Sequence, residues 1–95
     1  MSTDSANERK TVFFRGHVQG VGFRYTTHAI ARGFDVTGYV RNLDDGRVEL
    51  VAEGVRHELA AFLDEVRERL GQFIRGETVD TQPATEKFTA FEIRH

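Results

Sequence analysis

Nine consecutive residues, Gly16-His17-Val18-Gln19-Gly20-Val21-Gly22-Phe23-Arg24, carry the clearest chemical content of the chain. Their glycines follow an apolar run, Thr11-Val12-Phe13-Phe14, and lead into a helix-like segment that opens with an arginine. Glycine lets backbone N–H groups converge on an anion, and the start of a helix adds positive partial charge. Arg24 stands in the first helical turn, where the helix dipole favours acidic side chains. A long side chain on a helix leans back over the preceding turn, which brings the guanidinium over the mouth of the loop. A bound phosphate would make that placement favourable, so the stretch reads as a phosphate cradle.

The surrounding pattern supplies elements to hold such a loop. A strand is expected over about Thr11–Val18, dominated by Val12, Phe13, Phe14 and Val18. Phe23, Thr27, Ile30 and Phe34 recur at helical spacing, with Gly33 as the stop. Val36–Arg41 and Arg47–Glu53 alternate as strands, and Asn42-Leu43-Asp44-Asp45-Gly46 between them has hairpin-turn side chains. Val55, Leu59, Phe62, Leu63, Val66 and Leu70 form the stripe of a second helix ended by Gly71. Strands near Phe73–Asp80 and Phe88–Arg94, joined around Gln82-Pro83-Ala84, close the chain.

This order, β-α-β-β-α-β with one further strand, predicts an α+β fold of the ferredoxin-like split βαβ type. The expected sandwich is an antiparallel sheet of four to five strands with two helices on one face. The first two strands run parallel with the third inserted between them, as right-handed crossovers and a tight hairpin require. The glycine loop and Asn42 then leave the same edge of the sheet, roughly 9–10 Å apart across one intervening strand. Taken alone, Asn42 is an ordinary turn residue; the shared edge makes it a partner for Arg24.

Composition narrows the function classes. The chain has 95 residues, 39% hydrophobic and 29% charged, enough for one domain with a small core. Residues 1–10 are polar and are expected to form a flexible tail before a domain over 11–95. A net charge of -2 argues against general nucleic-acid binding, which needs a basic surplus. No cysteine is present, which removes disulfides, thiol nucleophiles and cysteine metal sites. No apolar run has the length of a membrane span, and no signal-peptide core precedes the first strand. A cytoplasmic monomer with no membrane or nucleic-acid partner is expected.

The two motifs, G-x-V-Q-G-V-x-F-R at Gly16–Arg24 and N-x-x-D-G-x-V at Asn42–Val48, resemble the signature of acylphosphatases. The resemblance extends over nearly everything after the tail, including the closing Phe91-Glu92-Ile93, and departs from the family where Gln72 follows Gly71 in place of a common proline. It implies hydrolysis of the mixed anhydride between a carboxylate and phosphate, with a small-molecule acyl phosphate as substrate. It further implies that Arg24 binds the phosphoryl oxygens and Asn42 holds the attacking water. The amides around Gln19, Gly20, Val21, Gly22 and Phe23 would form the phosphate-binding loop. These roles suit phosphoryl transfer, where positioned donors and a guanidinium fork do most of the catalytic work. A carboxylate leaves readily, so no cofactor and no metal are expected.

Other polar groups have plainer readings. Asp45-Gly46 is turn chemistry, and the Asp44-Asp45 pair lacks a third oxygen ligand for a cation. His17, His28, His57 and His95 fall in different elements without ligand spacing, although His17 lies within the glycine loop. No G-K-[ST] follows that loop, which excludes a Walker A site. A non-catalytic phosphate or acyl-phosphate binding module of the same fold is the competing reading. Thermal stabilisation by phosphate without turnover would single it out.

Overall fold

A computed structural model describes residues 7–95. The edge that carries the site is made by β1 (Asn7–Gly16) and β2 (Thr37–Asn42), each antiparallel to β3 (Val48–Val55) lying between them. α1 (Phe23–Ala31) joins β1 to β2, and α2 (Arg56–Leu70) follows β3. A short 3₁₀ turn, Gly71–Phe73, leads into β4 (Ile74–Pro83), and β5 (Phe91–Arg94) ends the chain. The strand order is β4-β1-β3-β2-β5. The split βαβ arrangement expected from the element order is therefore present, with β1 and β2 parallel about a central β3.

Alternation places the core. Val12 and Phe14 of β1, Val40 of β2, and Val48, Leu50 and Ala52 of β3 are buried on the helix side. Period-two geometry sends one side chain in two to each face. Phe23 and Ile30 of α1, with Leu59, Phe62, Leu63, Val66 and Leu70 of α2, close over them. Phe14 and Phe23 meet with ring centroids 5.2 Å apart, so the start of α1 is anchored directly to the strand that precedes the loop.

Several boundaries differ from expectation, each for a reason outside the local pattern. Of the expected tail, residues 1–6 lie outside the described residues, while Asn7–Lys10 belong to β1. Their polar side chains are compatible with a strand because the backbone pairs on both sides, Lys10 with Ala52 and with Thr81. α1 stops at Ala31, where i→i−3 bonds from Gly33 to Ile30 and from Phe34 to Ala31 tighten the last turn. Val55 ends β3 in an extended conformation and does not join the helical stripe. β4 runs on to Pro83, tolerated because β4 is an outer strand that pairs with β1 alone among the described residues.

The sheet is mixed, not wholly antiparallel: β5 pairs with β2 in parallel. The chain leaves β4 at one edge, crosses the face opposite the helices, and enters the other edge in the direction of β2. Glu53 pins this crossing. Its carboxylate accepts hydrogen bonds from Arg9 Nε at 2.8 Å, Thr85 N at 2.8 Å, Thr85 Oγ1 at 3.0 Å and Glu86 N at 2.9 Å. Phe88 then stacks against Tyr39 with centroids 5.9 Å apart.

Burial alone would raise the Glu53 carboxyl, but the hydrogen bonds from Thr85, Arg9 and Glu86 outweigh it and hold the group below its ordinary value. A carboxyl depressed in the folded state contributes stability above its unfolded value, about pH 4.3, and loses it as pH falls through the folded value. Urea-unfolding midpoints of wild type and Glu53→Gln, compared from about pH 3 to pH 7, should differ most at the neutral end and converge in acid. A gap independent of pH would refute the ionised role.

Candidate active site

The loop after β1 owes its shape to two glycines. Gly20 and Gly22 have φ of 78° and 75°. A Cβ built on either would meet nothing within 4 Å, so the left-handed backbone, not lack of space, requires glycine there. Gly22 is the N-cap of α1, and Thr26 N donates to its carbonyl at 2.9 Å to close the first turn. No side chain caps this helix start and no acidic residue occupies its first turn. The positive end of the α1 dipole is thus left for something outside the helix.

Gln19 ties this loop to the β2–β3 hairpin. Its Nε2 donates to Leu43 O at 2.8 Å and to Arg47 O at 2.9 Å, one amide hydrogen for each carbonyl. The hairpin is closed by Leu43 N to Arg47 O at 2.8 Å and Gly46 N to Leu43 O at 3.1 Å. Asp45 caps the turn, accepting from Arg47 N at 3.1 Å and Arg47 Nε at 2.9 Å. The Arg47 amide, with smaller help from its guanidinium, holds the Asp45 carboxyl below its ordinary range. Asp45 is therefore a turn residue, as its sequence context indicated. Among the described residues no three His, Asp or Glu side chains are grouped to hold a metal ion.

Between loop and hairpin lies a cavity of about 280 Å³, to which Gly20, Gly22, Arg24 and Asn42 bring polar groups. Val18, Phe23, Tyr25, Ile93 and His95 complete its wall. Arg24 Nη1 lies 3.2 Å from His95 Nδ1. The carboxamide oxygen of Asn42 is buried with no hydrogen-bond partner among the described residues, an expensive state that a bound water or ligand donor would relieve. The space thus lies between a residue whose buried oxygen lacks a partner among the described residues and a cation beside an uncapped helix. Such a pocket can seat an anion and a water together.

A family model described as acylphosphatase matches residues 10–93. The chain belongs to the acylphosphatase family. An acylphosphatase of Lactobacillus johnsonii is 42% identical over 88 residues, spanning 88% of this chain and 97% of that one. An acylphosphatase of Thermobifida fusca is 54% identical over 59 residues, 62% of this chain and 65% of the other. The crystal structure of the Bacillus subtilis acylphosphatase superposes with a TM-score of 0.83 at 31% identity, covering 93% of this chain and 99% of that one. The chain is accordingly an acylphosphatase-type enzyme, and its five-stranded sheet with two helices is the acylphosphatase fold.

Within that fold Arg24, Asn42, Gly20, Gly22 and Phe23 line the cavity, and the other two loop residues, whose expected part is that of their backbone amides, send their side chains elsewhere. The Gln19 side chain serves the hairpin, and Val21 packs against the core. His28 stacks on Phe91 at 6.4 Å, and Arg41 pairs with Glu49 on the sheet face opposite the helices. Tyr25, Ile93 and His95 are cavity residues that the motifs did not mark. Tyr25 follows Arg24 directly, but Ile93 and His95 arrive through the pairing of β5 with β2, for which no local signal exists.

Gln19→Ala should destabilise the acylphosphatase domain by about 1–3 kcal/mol, as two backbone carbonyls lose a shared donor. Gln19→Glu should cost more, because a carboxylate would face both acceptors. Chemical denaturation checks this order, and equal stability of the two variants would contradict it.

Proposed function

We propose that this chain hydrolyses the carboxyl–phosphate anhydride of small acyl phosphates to a carboxylate and inorganic phosphate, by direct attack of water and without a metal. The observation that carries the reading is that Asn42, whose carboxamide oxygen has no partner among the described residues, and Arg24, at an uncapped helix start, line one cavity. Arg24 and the amides of Gln19–Phe23 take the phosphoryl oxygens, over which charge spreads in the transition state. Asn42 Oδ1 accepts a hydrogen bond from a water and orients its oxygen toward phosphorus. The water oxygen forms a bond to phosphorus as the bond to the acyl oxygen breaks. The carboxylate leaves with the electron pair, and the proton of the water passes to a phosphate oxygen.

A carboxylate ordinarily takes a proton only near pH 4, so it departs without a protein acid or a Lewis acid. The apolar part of the wall, from Val18, Phe23 and Ile93, leaves room for the acyl chain beside the anion. Small acyl and carbamoyl groups suit the cavity volume of about 280 Å³.

Arg24→Ala should lose nearly all hydrolysis of benzoyl phosphate and weaken inhibition by inorganic phosphate. Asn42→Ala should lower turnover by about 10²–10³ while phosphate inhibition persists. Near-normal turnover in Asn42→Ala would remove the water-holding role. Thermal stabilisation by phosphate with no turnover in wild type would instead identify a binding module. Addition of EDTA should leave the rate unchanged, and abolition of activity by chelator would overturn metal independence.

A further inference from the structure

Tyr25 stands apart from the other aromatic side chains. It is 78% exposed, and among the described residues its ring meets no other ring or cation and its hydroxyl makes no hydrogen bond. The other rings pack on one another, as Tyr39 does on Phe88, lie under a guanidinium, as Phe13 does under Arg47, or rest on the core, as Phe73 does. Yet Tyr25 lines the cavity that holds Arg24 and Asn42. We infer that Tyr25 is a specificity-determining residue whose ring packs against the acyl group of the substrate, and that the enzyme favours acyl phosphates with a planar apolar acyl group. The inference rests on the acyl-phosphate hydrolysis proposed above.

Helix geometry accounts for the exposure. Phe23, Thr27 and Ile30 form the buried stripe of α1. Tyr25, two positions after Phe23, stands about 200° around the helix from it, so the core cannot use its ring. Helical side chains tilt toward the N-terminus of their helix, and the N-terminus of α1 opens on the cavity.

Accessible surface then assigns the contact. Val18 and Phe23 also belong to the wall, but they are 0% and 2% exposed and offer an incoming group little area. Gly20, Gly22, Arg24 and Asn42 bring polar groups that the phosphoryl group and the water engage. With the phosphoryl group on Arg24, the acyl substituent lies against what remains of the wall, and the broadest open apolar face there is the Tyr25 ring. A tyrosine has two side-chain torsions and loses little freedom on contact. Its face packs well on a flat apolar partner, offset or edge-on. Apolar attraction follows the area covered, so a phenyl substituent gains more from this face than a methyl group does.

Benzoyl phosphate and acetyl phosphate share the reacting anhydride and differ in the ring, and together they test the contact. Tyr25→Ala should lower the kcat/KM preference for benzoyl over acetyl phosphate about three- to tenfold. The inhibition constant of inorganic phosphate, which has no acyl group, should stay within about twofold of wild type. Tyr25→Phe should keep the wild-type preference, because the ring and not the hydroxyl makes the contact. The inference is overturned if Tyr25→Ala keeps the preference, if Tyr25→Phe loses it as Tyr25→Ala does, or if phosphate inhibition weakens in step with benzoyl phosphate binding. Hydrolysis of neither substrate by wild type defeats the function proposed above. Hydrolysis of both, with an unaltered preference in Tyr25→Ala, defeats only the acyl contact.

Discussion

One side-chain amide holds the two halves of this site at a fixed distance. Gln19 belongs to the glycine loop, yet both of its amide hydrogens are given to the hairpin that begins at Asn42. The sheet fixes Asn42, which pairs with Val48, and Phe23 packs on Phe14 beside Arg24, but the glycines between them need a tether of their own. The donor shared between Leu43 and Arg47 supplies it, at 2.8 and 2.9 Å. Each backbone carbonyl so engaged is spared an unsatisfied state, and the same contact holds the glycine loop against the hairpin that follows Asn42. Stability and active-site geometry are here the same interaction.

Charge is arranged by the same economy. The chain has a formal net charge of -2, but the sheet face opposite the helices neutralises its own charges, Arg9 with Glu53 and Arg41 with Glu49. Arg67 pairs with Glu77 across α2 and β4. At the cavity the pattern is reversed, with a guanidinium next to an imidazole and a helix start without an acidic residue. A weakly acidic protein thereby keeps positive charge at the cavity, at close range.

Much of this was legible in the residues because it is local. The positive-φ glycines, the arginine in a first helical turn, the α2 stripe and the Asp45-Gly46 turn each follow from chemistry within a few positions. The parallel crossover of two strands about a third could also be read from the order of elements. What could not be read depends on distant partners. Asn7–Lys10 are polar and become strand through pairing on both sides. Phe88 has the type of a strand residue but stacks on Tyr39 while the chain crosses the sheet. Gln19 sits inside a phosphate-loop motif while its side chain faces the hairpin. His95 carries no motif, and only the register of β5 against β2 reveals it.

The uncapped start of α1 has a bearing on how the protein can change. A nine-residue helix with no capping side chain, beside a buried carboxamide oxygen lacking a donor, sits below the stability its fold could reach. No capping side chain can be introduced at Gly22 without penalty, because its φ of 75° strains any residue that carries a Cβ. The backbone turn that starts the helix thus forbids the side chain that would cap it, and the positive end of the helix stays turned toward the cavity.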